Sequence, residues 1–364
     1  MRPLNDLINP HLRALDGYAS IDPVDVLAKQ AGIPPEQVIR LNGNENPYGP
    51  SPRVLDVLSK FKGHHLYPDP QQRRIRAALS MHLNVEEDRI LCGAGSDELI
   101  DLLLRLVITP GDTVVEPVPT FGMYSFNAAV CGGRAVSVPR DDRFEIDVDA
   151  VRKAVQPNTK IIFLASPNNP TGNPATVEQV RALLALGPLV VADEAYHEFY
   201  GKSLLPLVKD HPNLIVLRTF SKWAGLAGLR IGYGVMDPQL VRTLMVMKPP
   251  YNISVVAEEA LVASLEDRDV LMGRVRQIVA ERERLVSQLK TLPQVSVWPS
   301  QANFVLINVP AGRGKDVYQS LARRGVFTRY FSHPRLRDCV RISIGLHQHT
   351  DRVISALRET LAEL

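Results

Sequence analysis

The chain is poor in cysteine and has no long hydrophobic run. Its 364 residues include three cysteines, which are far apart in sequence (Cys92, Cys131 and Cys339). Such sparse thiols argue against a disulfide framework or a cysteine-based metal site, and they favour a reducing, cytoplasmic location. No run of about 18 apolar residues is present, so no membrane-spanning segment is expected. The N-terminal region also lacks the apolar core of a signal peptide.

Charge of one sign is also scarce. The 42 Lys and Arg residues nearly balance the 39 Asp and Glu residues, giving a net charge of +3, and no dense basic run occurs. Nucleic acid is therefore not an expected partner, and small molecules are. The hydrophobic share of 45% is that of an ordinary globular protein. Because single cores stop growing at about 250–300 residues, the length predicts two lobes that share a cleft.

Short apolar segments alternate with amphipathic ones from about residue 53 onward. The segments predicted as strands of a first sheet are 89–92, 113–116, 135–138, 160–165, 189–192, 214–219 and 229–235. Several of them are apolar throughout, as strands buried on both faces are. Amphipathic stretches at 97–107 and 176–186 predict helices between them. We therefore expect an α/β fold with a large, doubly wound, mostly parallel sheet, and a smaller α+β domain after it.

Domain boundaries follow from changes in this pattern. Residues 1–33 are predicted to form an N-terminal arm and a short helix that ends near Gly32. Residues 34–250 would form the large domain, which begins with a proline-rich, extended crossing segment. Residues 251–364 would form the small domain, with a long helical region at 255–290 followed by two strands and two helices.

Chemically capable residues follow several strands of the first sheet. In a doubly wound sheet, the carboxyl ends of the strands border the ligand crevice, so these groups should converge. They are Gly95 and Ser96 after one strand, the Asn168-Asn169 pair after another, Asp193 and Tyr196 after a third, and Ser221, Lys222 and Arg230 after a fourth. The set indicates a cofactor site.

Gly95 and Ser96 precede a predicted helix. Backbone N–H groups and a hydroxyl at a helix N-terminus bind anions. A simpler interpretation makes Ser96 a helix cap and nothing more. The segment also partly matches a dinucleotide-binding fingerprint, but its third glycine position is occupied by Glu98.

Asp193 ends an apolar strand, where an unpaired carboxylate is costly. A protonated pyridine nitrogen would supply the missing cation, and a structural ion pair is the alternative. Tyr196 would reach the neighbouring ring oxygen, or it is an ordinary packed tyrosine.

Lys222 follows a buried strand, in a segment with no other charge before Arg230. Desolvation and a nearby cation lower the pKa of an amine, as a Schiff-base lysine requires, although most lysines are surface charges. Arg341 lies in an otherwise apolar strand, where a guanidinium needs a carboxylate or phosphate partner. The alternative for Arg341 is a structural salt bridge.

Three motifs occur in order: S-P-N-N-P-T-G from Ser166, D-E-A-Y from Asp193, and S-K-x7-R from Ser221. Together they resemble fold-type I aminotransferases dependent on pyridoxal 5′-phosphate (PLP), and the similarity spans nearly the whole chain. The segment 41–52 and the triplet at 67–69 resemble the histidinol-phosphate branch of that family.

The resemblance implies a role for each matching residue. Lys222 would carry PLP covalently, Asp193 would pair with the ring nitrogen, and Tyr196 would act with it in catalysis. The remaining cofactor-binding residues implied are Gly95, Ser96, Asp97, Phe121, Asn169, Ser221, Arg230 and, from the partner of a homodimer, Tyr67. The substrate-binding residues implied are Tyr18, Asn46, Arg329 and Arg341. No metal is expected.

The implied reaction is amino transfer between L-histidinol phosphate and 2-oxoglutarate in histidine biosynthesis. An aromatic amino acid aminotransferase would share every cofactor-binding residue, and a PLP-dependent threonine-phosphate decarboxylase is a close relative. A ligand-sensing transcription regulator would need an added DNA-binding domain. An NAD-dependent dehydrogenase would leave Lys222 and Asp193 unexplained.

Overall fold

A seven-stranded sheet forms the centre of the molecule, in a computed structural model that describes residues 2–13, 15–18 and 20–364. Its strands are β2 (Ile90–Gly93), β3 (Thr113–Val118), β4 (Arg134–Pro139), β5 (Thr159–Ala165), β6 (Leu189–Asp193), β7 (Leu214–Thr219) and β8 (Gly232–Val235). They lie in the order β2-β8-β7-β6-β5-β3-β4, and β8 runs antiparallel to the other six strands. The expectation of a mostly parallel sheet is confirmed.

The sheet is buried on both faces. Along β5, Ile162 and Leu164 belong to one hydrophobic cluster, whereas Ile161 and Phe163 belong to a second cluster on the opposite face. Successive side chains of a strand alternate between faces, so two separate cores require helices on each side. Because both faces of the sheet are covered, the strands are apolar at successive positions and do not alternate with polar residues.

Helices cover both faces and form much of the C-terminal region. They are α1 (Pro10–Arg13), α2 (Val24–Ala31), α3 (Pro52–Lys60), α4 (Arg73–Leu83), α5 (Ser96–Val107), α6 (Met123–Val130), α7 (Val148–Ala154), α8 (Val177–Leu184), α9 (His197–Tyr200), α10 (Pro238–Met247), α11 (Val255–Glu266), α12 (Arg268–Leu289), α13 (Gly314–Arg323) and α14 (His347–Ala362). Local sequence sets several ends. Thr176 and Gln179 form a capping box before α8, and α2 ends at Gly32, which has a φ of 67°.

A second sheet of four strands lies in the C-terminal part. Its strands, in spatial order, are β12 (Arg329–Tyr330), β13 (Cys339–Ser343), β10 (Phe304–Asn308) and β9 (Ser296–Val297). A further pair joins β1 (Ile39–Arg40) to β11 (Val326–Phe327) in parallel. The proline-rich segment therefore runs beside C-terminal strands, and the Ser343 N–H donates to the Leu41 carbonyl over 2.9 Å. The division at residues 33 and 250 stays a prediction.

The predicted elements differ from the structure in three places, of which the first is the region after residue 290, where five strands, β9 to β13, replace the two predicted. The strand predicted over 229–235 begins at Gly232, because a 3-10 turn precedes it and Arg230 adopts a left-handed φ of 52°. The helical region predicted over 255–290 is two helices that meet at Asp267. Among the residues that the structure describes, no helix is long and apolar enough to cross a membrane.

Candidate active site

A cavity of about 880 Å³ opens at the carboxyl ends of the large sheet. Ala165, Asp193 and Thr219, the last residues of β5, β6 and β7, all line it. Of the residues predicted from sequence, the following also line it: Tyr18, Ser96, Asp97, Phe121, Asn169, Tyr196, Ser221, Lys222, Arg230, Arg329 and Arg341. Parallel strands thus bring together groups that are far apart in sequence, as the topology predicts.

Lys222 reaches the cavity from the turn after β7. Its Nζ donates to the Gly43 carbonyl over 3.0 Å, and no carboxylate among the described residues forms an ion pair with it. Burial, aided by the positive charge of Arg341, lowers the pKa of this amine to about 8. A substantial fraction of Lys222 is therefore neutral, and nucleophilic, near physiological pH. Lys222 is therefore not an ordinary surface lysine.

Asp193 lies at the floor of the cavity. Its Oδ2 accepts a hydrogen bond from the Tyr124 hydroxyl over 2.8 Å, and its Oδ1 accepts one from the Ala195 N–H over 3.1 Å. Burial raises the pKa of the carboxyl to about 6. None of the described basic side chains pairs with it, so the alternative of a structural ion pair is not realised. A cationic ligand group would supply the opposite charge.

Tyr196 presents its phenol to the same space. The side chain is buried, and its oxygen accepts a hydrogen bond from Asn44 Nδ2 over 2.9 Å. Burial raises the pKa of the phenol to about 12, so the hydroxyl keeps its proton.

One side of the cavity is built to hold an anion. Helix α5 begins at Ser96, and the residue that caps it is Gly95, with a φ of 81° and no side chain. Ser96 is therefore the first helical residue, and the interpretation of Ser96 as the helix cap is wrong. Arg230 pairs with Asp97 over 2.9 Å and lies so near Gly95 that a Cβ there would stand 2.5 Å from its Nη2. The hydroxyl of Ser221 completes this side.

Arg341 carries a buried guanidinium that has no acidic partner in the described part of the chain. It is 5% exposed, and its Nη atoms donate to the Asn169 Oδ1 over 2.6 Å and to the Asn42 carbonyl over 2.5 Å. Its Nε has no hydrogen-bond partner, and no described carboxylate lies within ion-pair distance. Burial lowers the pKa of this guanidinium to about 10, and the nearby charge of Arg329 adds to the effect. The structural salt bridge that the sequence left open is absent from the described residues.

Aromatic rings border the cavity. Phe121 packs edge-on against Tyr124, with ring centroids 5.6 Å apart, and against Tyr18 at 6.2 Å. Phe331 lies 5.6 Å from the Arg341 guanidinium. These rings give a flat heterocycle an apolar surface to lie against.

Three predicted residues do not line the cavity. Gly95 lies behind it, against Arg230. Asn46 is buried beside it, where its Nδ2 donates to the Trp223 carbonyl and its Oδ1 accepts from the Tyr48 N–H. Tyr67 is 80% exposed and stacks on Tyr251, with centroids 4.4 Å apart, on the surface of this single chain.

Comparison with known proteins gives a family. The family model described as aminotransferase class I and II matches residues 36–357, which is most of the chain.

The chain belongs to the class I and II aminotransferase family.

Relatives within this aminotransferase family are similar over the full length. A histidinol-phosphate aminotransferase of Roseiflexus castenholzii is 48% identical, over 98% of each chain. A chloroplastic histidinol-phosphate aminotransferase of Nicotiana tabacum is 44% identical, over 96% of this chain and 86% of its own. A crystal structure of histidinol-phosphate aminotransferase from Sinorhizobium meliloti, in complex with pyridoxal-5′-phosphate, has 29% identity and a TM-score of 0.89, and covers 98% of both chains.

Several side chains that line the site of this aminotransferase were not foreseen, and four of them contact predicted residues of the site. Tyr124, Asn44, Asn42 and Phe331 all line the cavity. Tyr124 lies in the first turn of α6 and packs edge-on against Phe121, which precedes the helix. Asn42 and Asn44 enter because the proline-rich segment lies against β13, a long-range contact that no local pattern reveals.

Proposed function

We propose that this aminotransferase binds PLP and transfers an amino group between L-histidinol phosphate and 2-oxoglutarate, forming imidazole acetol phosphate and L-glutamate in histidine biosynthesis. The observation that carries the proposal is the pairing of Lys222 and Asp193 in one cavity. Asp193 is buried and Lys222 is half-buried, neither forms an ion pair with a described residue, and PLP offers an aldehyde to Lys222 and a cationic ring nitrogen to Asp193.

The residues present fit the cofactor. Ser96, Ser221, Arg230 and the backbone at Gly95 and Asp97 would hold its phosphate, because they combine a helix N-terminus with a cation and hydroxyls. Phe121 would lie against the ring. Asn169 and Tyr196 would hold the ring oxygen, opposite the carboxylate of Asp193. The resemblance of motifs and the full-length similarity to a PLP-bound homologue support these assignments.

In the reaction, PLP supplies an electron-withdrawing ring that makes the amino-bearing carbon of the substrate acidic. Asp193, as a carboxylate, holds the proton of the ring nitrogen. Lys222 Nζ, as a neutral amine, would remove a proton from the amino-bearing carbon of the substrate and deliver it to the 4′-carbon of the cofactor, two bonds away. Its lowered pKa increases the neutral fraction of this amine, which is the form that can act as a base.

Substrate recognition would depend on Arg341, with Arg329, Tyr18 and Asn46 assisting. Both amino donors carry an anionic group, a phosphate in one and a carboxylate in the other. Within residues 2–13, 15–18 and 20–364, Arg341 donates its Nη hydrogen bonds to neutral oxygens only, and its Nε has no partner. An arriving anion would therefore gain a charge-assisted hydrogen bond from a guanidinium already desolvated.

Steady-state kinetics over a panel of amino donors tests the proposed substrate. The purified holoenzyme, with 2-oxoglutarate as acceptor, should give a higher kcat/KM for L-histidinol phosphate than for L-phenylalanine. A preference for phenylalanine would make it an aromatic amino acid aminotransferase. Release of carbon dioxide from threonine phosphate would make it a decarboxylase. Either result overturns the proposed reaction.

We also propose that the enzyme is a homodimer in which Tyr67 enters the partner's active site. An exposed apolar patch supports an interface there. It comprises Leu66, Tyr67 and Tyr251, which are 60%, 80% and 46% exposed in the single chain. The stacked rings of Tyr67 and Tyr251 leave a large apolar surface exposed to solvent, as is typical of protein interfaces.

Active-site complementation tests the shared site. A Lys222→Ala chain and a Tyr67→Ala chain each lack one required group. If Tyr67 acts across the interface, a mixed dimer contains one complete site, so mixing the two refolded variants should restore up to about a quarter of wild-type activity. Activity that stays at the sum of the separate variants would show that Tyr67 does not act in trans.

A cytoplasmic location also remains part of the proposal. The three cysteines are free thiols, and Cys92 and Cys339 are buried. Buried free thiols suit a reducing compartment. Cell fractionation with an antibody to the chain would test it.

A further inference from the structure

The backbone and the side chain of Asn44 are both held by hydrogen bonds inside the fold. Its side chain and backbone are 1% exposed, and its φ of 52° is left-handed, a conformation that asparagine tolerates better than most residues. The Asn44 carbonyl accepts a hydrogen bond from Asn303 Nδ2 over 2.9 Å. Nothing in the proposed chemistry requires an amide at this point, yet the residue lines the cavity.

Ser343 determines which way the Asn44 amide points. The Ser343 Oγ accepts from the Asn44 N–H over 2.9 Å and donates to the Asn44 Oδ1 over 2.8 Å. In this arrangement the Asn44 Oδ1 faces the serine hydroxyl, and the amide nitrogen lies on the other side. There Nδ2 donates to the Tyr196 oxygen over 2.9 Å.

The direction of this last bond decides what Tyr196 can do. An amide nitrogen only donates, so the phenol oxygen is the acceptor and its own proton is directed elsewhere. Among the described residues, the Tyr196 hydroxyl has no other hydrogen-bond partner. Tyr196 packs edge-on against Phe304, with ring centroids 5.2 Å apart, and its hydroxyl borders the cavity that also holds Lys222.

We propose that Asn44 is a positioning residue that aims the Tyr196 hydroxyl proton into the cavity, at the ring oxygen of the bound cofactor. The inference rests on the proposed function. The chain of bonds runs from Ser343 on β13 through Asn44 to Tyr196, so the strand that carries Arg341 also sets the orientation of the phenol. The charged and titratable groups that face Tyr196 are Arg341, Asp193 and Tyr18.

Absorbance spectroscopy of the holoenzyme tests this without relying on turnover. A hydrogen bond donated to the ring oxygen favours its ionised form, so losing that bond raises the pH at which the visible absorbance of bound PLP titrates. Asn44→Gly removes the amide without adding charge and keeps a backbone that accepts a positive φ. It should raise the midpoint by about half a pH unit. Tyr196→Phe should raise it by at least as much.

The double variant separates positioning from structural damage. If Asn44 acts through Tyr196, Asn44→Gly adds no further shift when Tyr196 is already Phe. Asn84→Gly makes the same replacement at a left-handed φ of 54°, at the end of α4 and outside the cavity lining, and should leave the midpoint unchanged.

Two results overturn the inference: an unchanged midpoint in Asn44→Gly, or a full shift that persists in the Tyr196→Phe background. Should Asn44→Gly fail to fold, Ser343→Ala replaces it, because it frees the amide to turn and should shift the midpoint in the same direction. Wild-type protein that shows no PLP absorbance would instead refute the proposed function, so the two failures are distinguishable.

Discussion

The hydroxyl of Tyr124 donates a hydrogen bond to Asp193 Oδ2 over 2.8 Å. Tyr124 is fully buried and lies nearly parallel to Phe163, with ring centroids 4.6 Å apart and planes 2° apart. The stacked ring holds the hydroxyl in place. Burial raises the pKa of Asp193 to about 6, and the bond from Tyr124 opposes that rise, so the tyrosine helps to keep the carboxylate charged at neutral pH.

Tyr124→Phe should therefore weaken the hold on PLP. Losing a hydrogen bond to a charged group costs about 1.5–3 kcal/mol, which corresponds to an affinity for PLP that is lower by about 10- to 100-fold. Absorbance titration of the apoprotein with PLP measures this. Tyr233→Phe is the control, because Tyr233 is also buried but contacts Arg218, away from the cavity lining. Equal PLP affinities in wild type and Tyr124→Phe would show that the Tyr124 hydrogen bond does not contribute to cofactor binding.

Arg341 should contribute to substrate binding far more than to stability. Its guanidinium is buried and has no acidic partner among the described residues, so its replacement by Met removes an uncompensated charge along with two hydrogen bonds to neutral oxygens. We expect the free energy of unfolding to change by less than about 1 kcal/mol, while the KM for L-histidinol phosphate rises by more than about tenfold. Urea denaturation and steady-state kinetics provide the two measurements.

Arg218→Met is the matched control for that prediction. Arg218 is also buried, but its Nη2 pairs with Glu194 Oε2 over 2.9 Å. Removing it leaves the buried Glu194 carboxylate without a cation, which should lower the free energy of unfolding by about 3–5 kcal/mol. If Arg341→Met destabilises the protein as much as Arg218→Met and leaves KM unchanged, Arg341 is structural.

Reconstitution of the apoprotein should depend on pH through Lys222. The pKa of its amine is lowered to about 8, so below that pH the folded protein carries mostly ammonium, which is not nucleophilic. The neutral fraction, and with it the rate of PLP attachment at fixed PLP concentration, should rise about tenfold per pH unit below 8 and then level off. Stopped-flow absorbance between pH 6 and pH 9 follows this. A rate still climbing steeply at pH 9 would show an ordinary lysine.

The fold was largely predictable because its elements have strong local signals. Strand β5 is apolar throughout, since both faces of the sheet are covered, and α5 and α8 have clear amphipathic periods. The two incorrect boundaries, at 229–231 and at Asp267, lie where backbone conformation changes without a change in hydrophobicity. Periodicity cannot detect such a change.

The residues of the site that lie at the ends of strands were predictable from the sequence. Asp193 and Lys222 each follow an apolar strand, and parallel pairing places such residues at one edge. Asn44 and Tyr124 were missed because their roles come from contacts across the fold, to Ser343 and to Asp193. Tyr67 and Asn46 are outside the cavity lining of one chain, and their predicted roles stay predictions.

Chemical trapping of the cofactor tests the central claim, that Lys222 carries PLP. Borohydride reduction of the holoenzyme fixes a lysine-linked cofactor, and peptide mass spectrometry locates it. We predict a single modified lysine, at position 222, and no modification in Lys222→Ala protein treated in the same way. A reduced adduct on another lysine, or none on Lys222 in protein that turns over L-histidinol phosphate, would contradict the account.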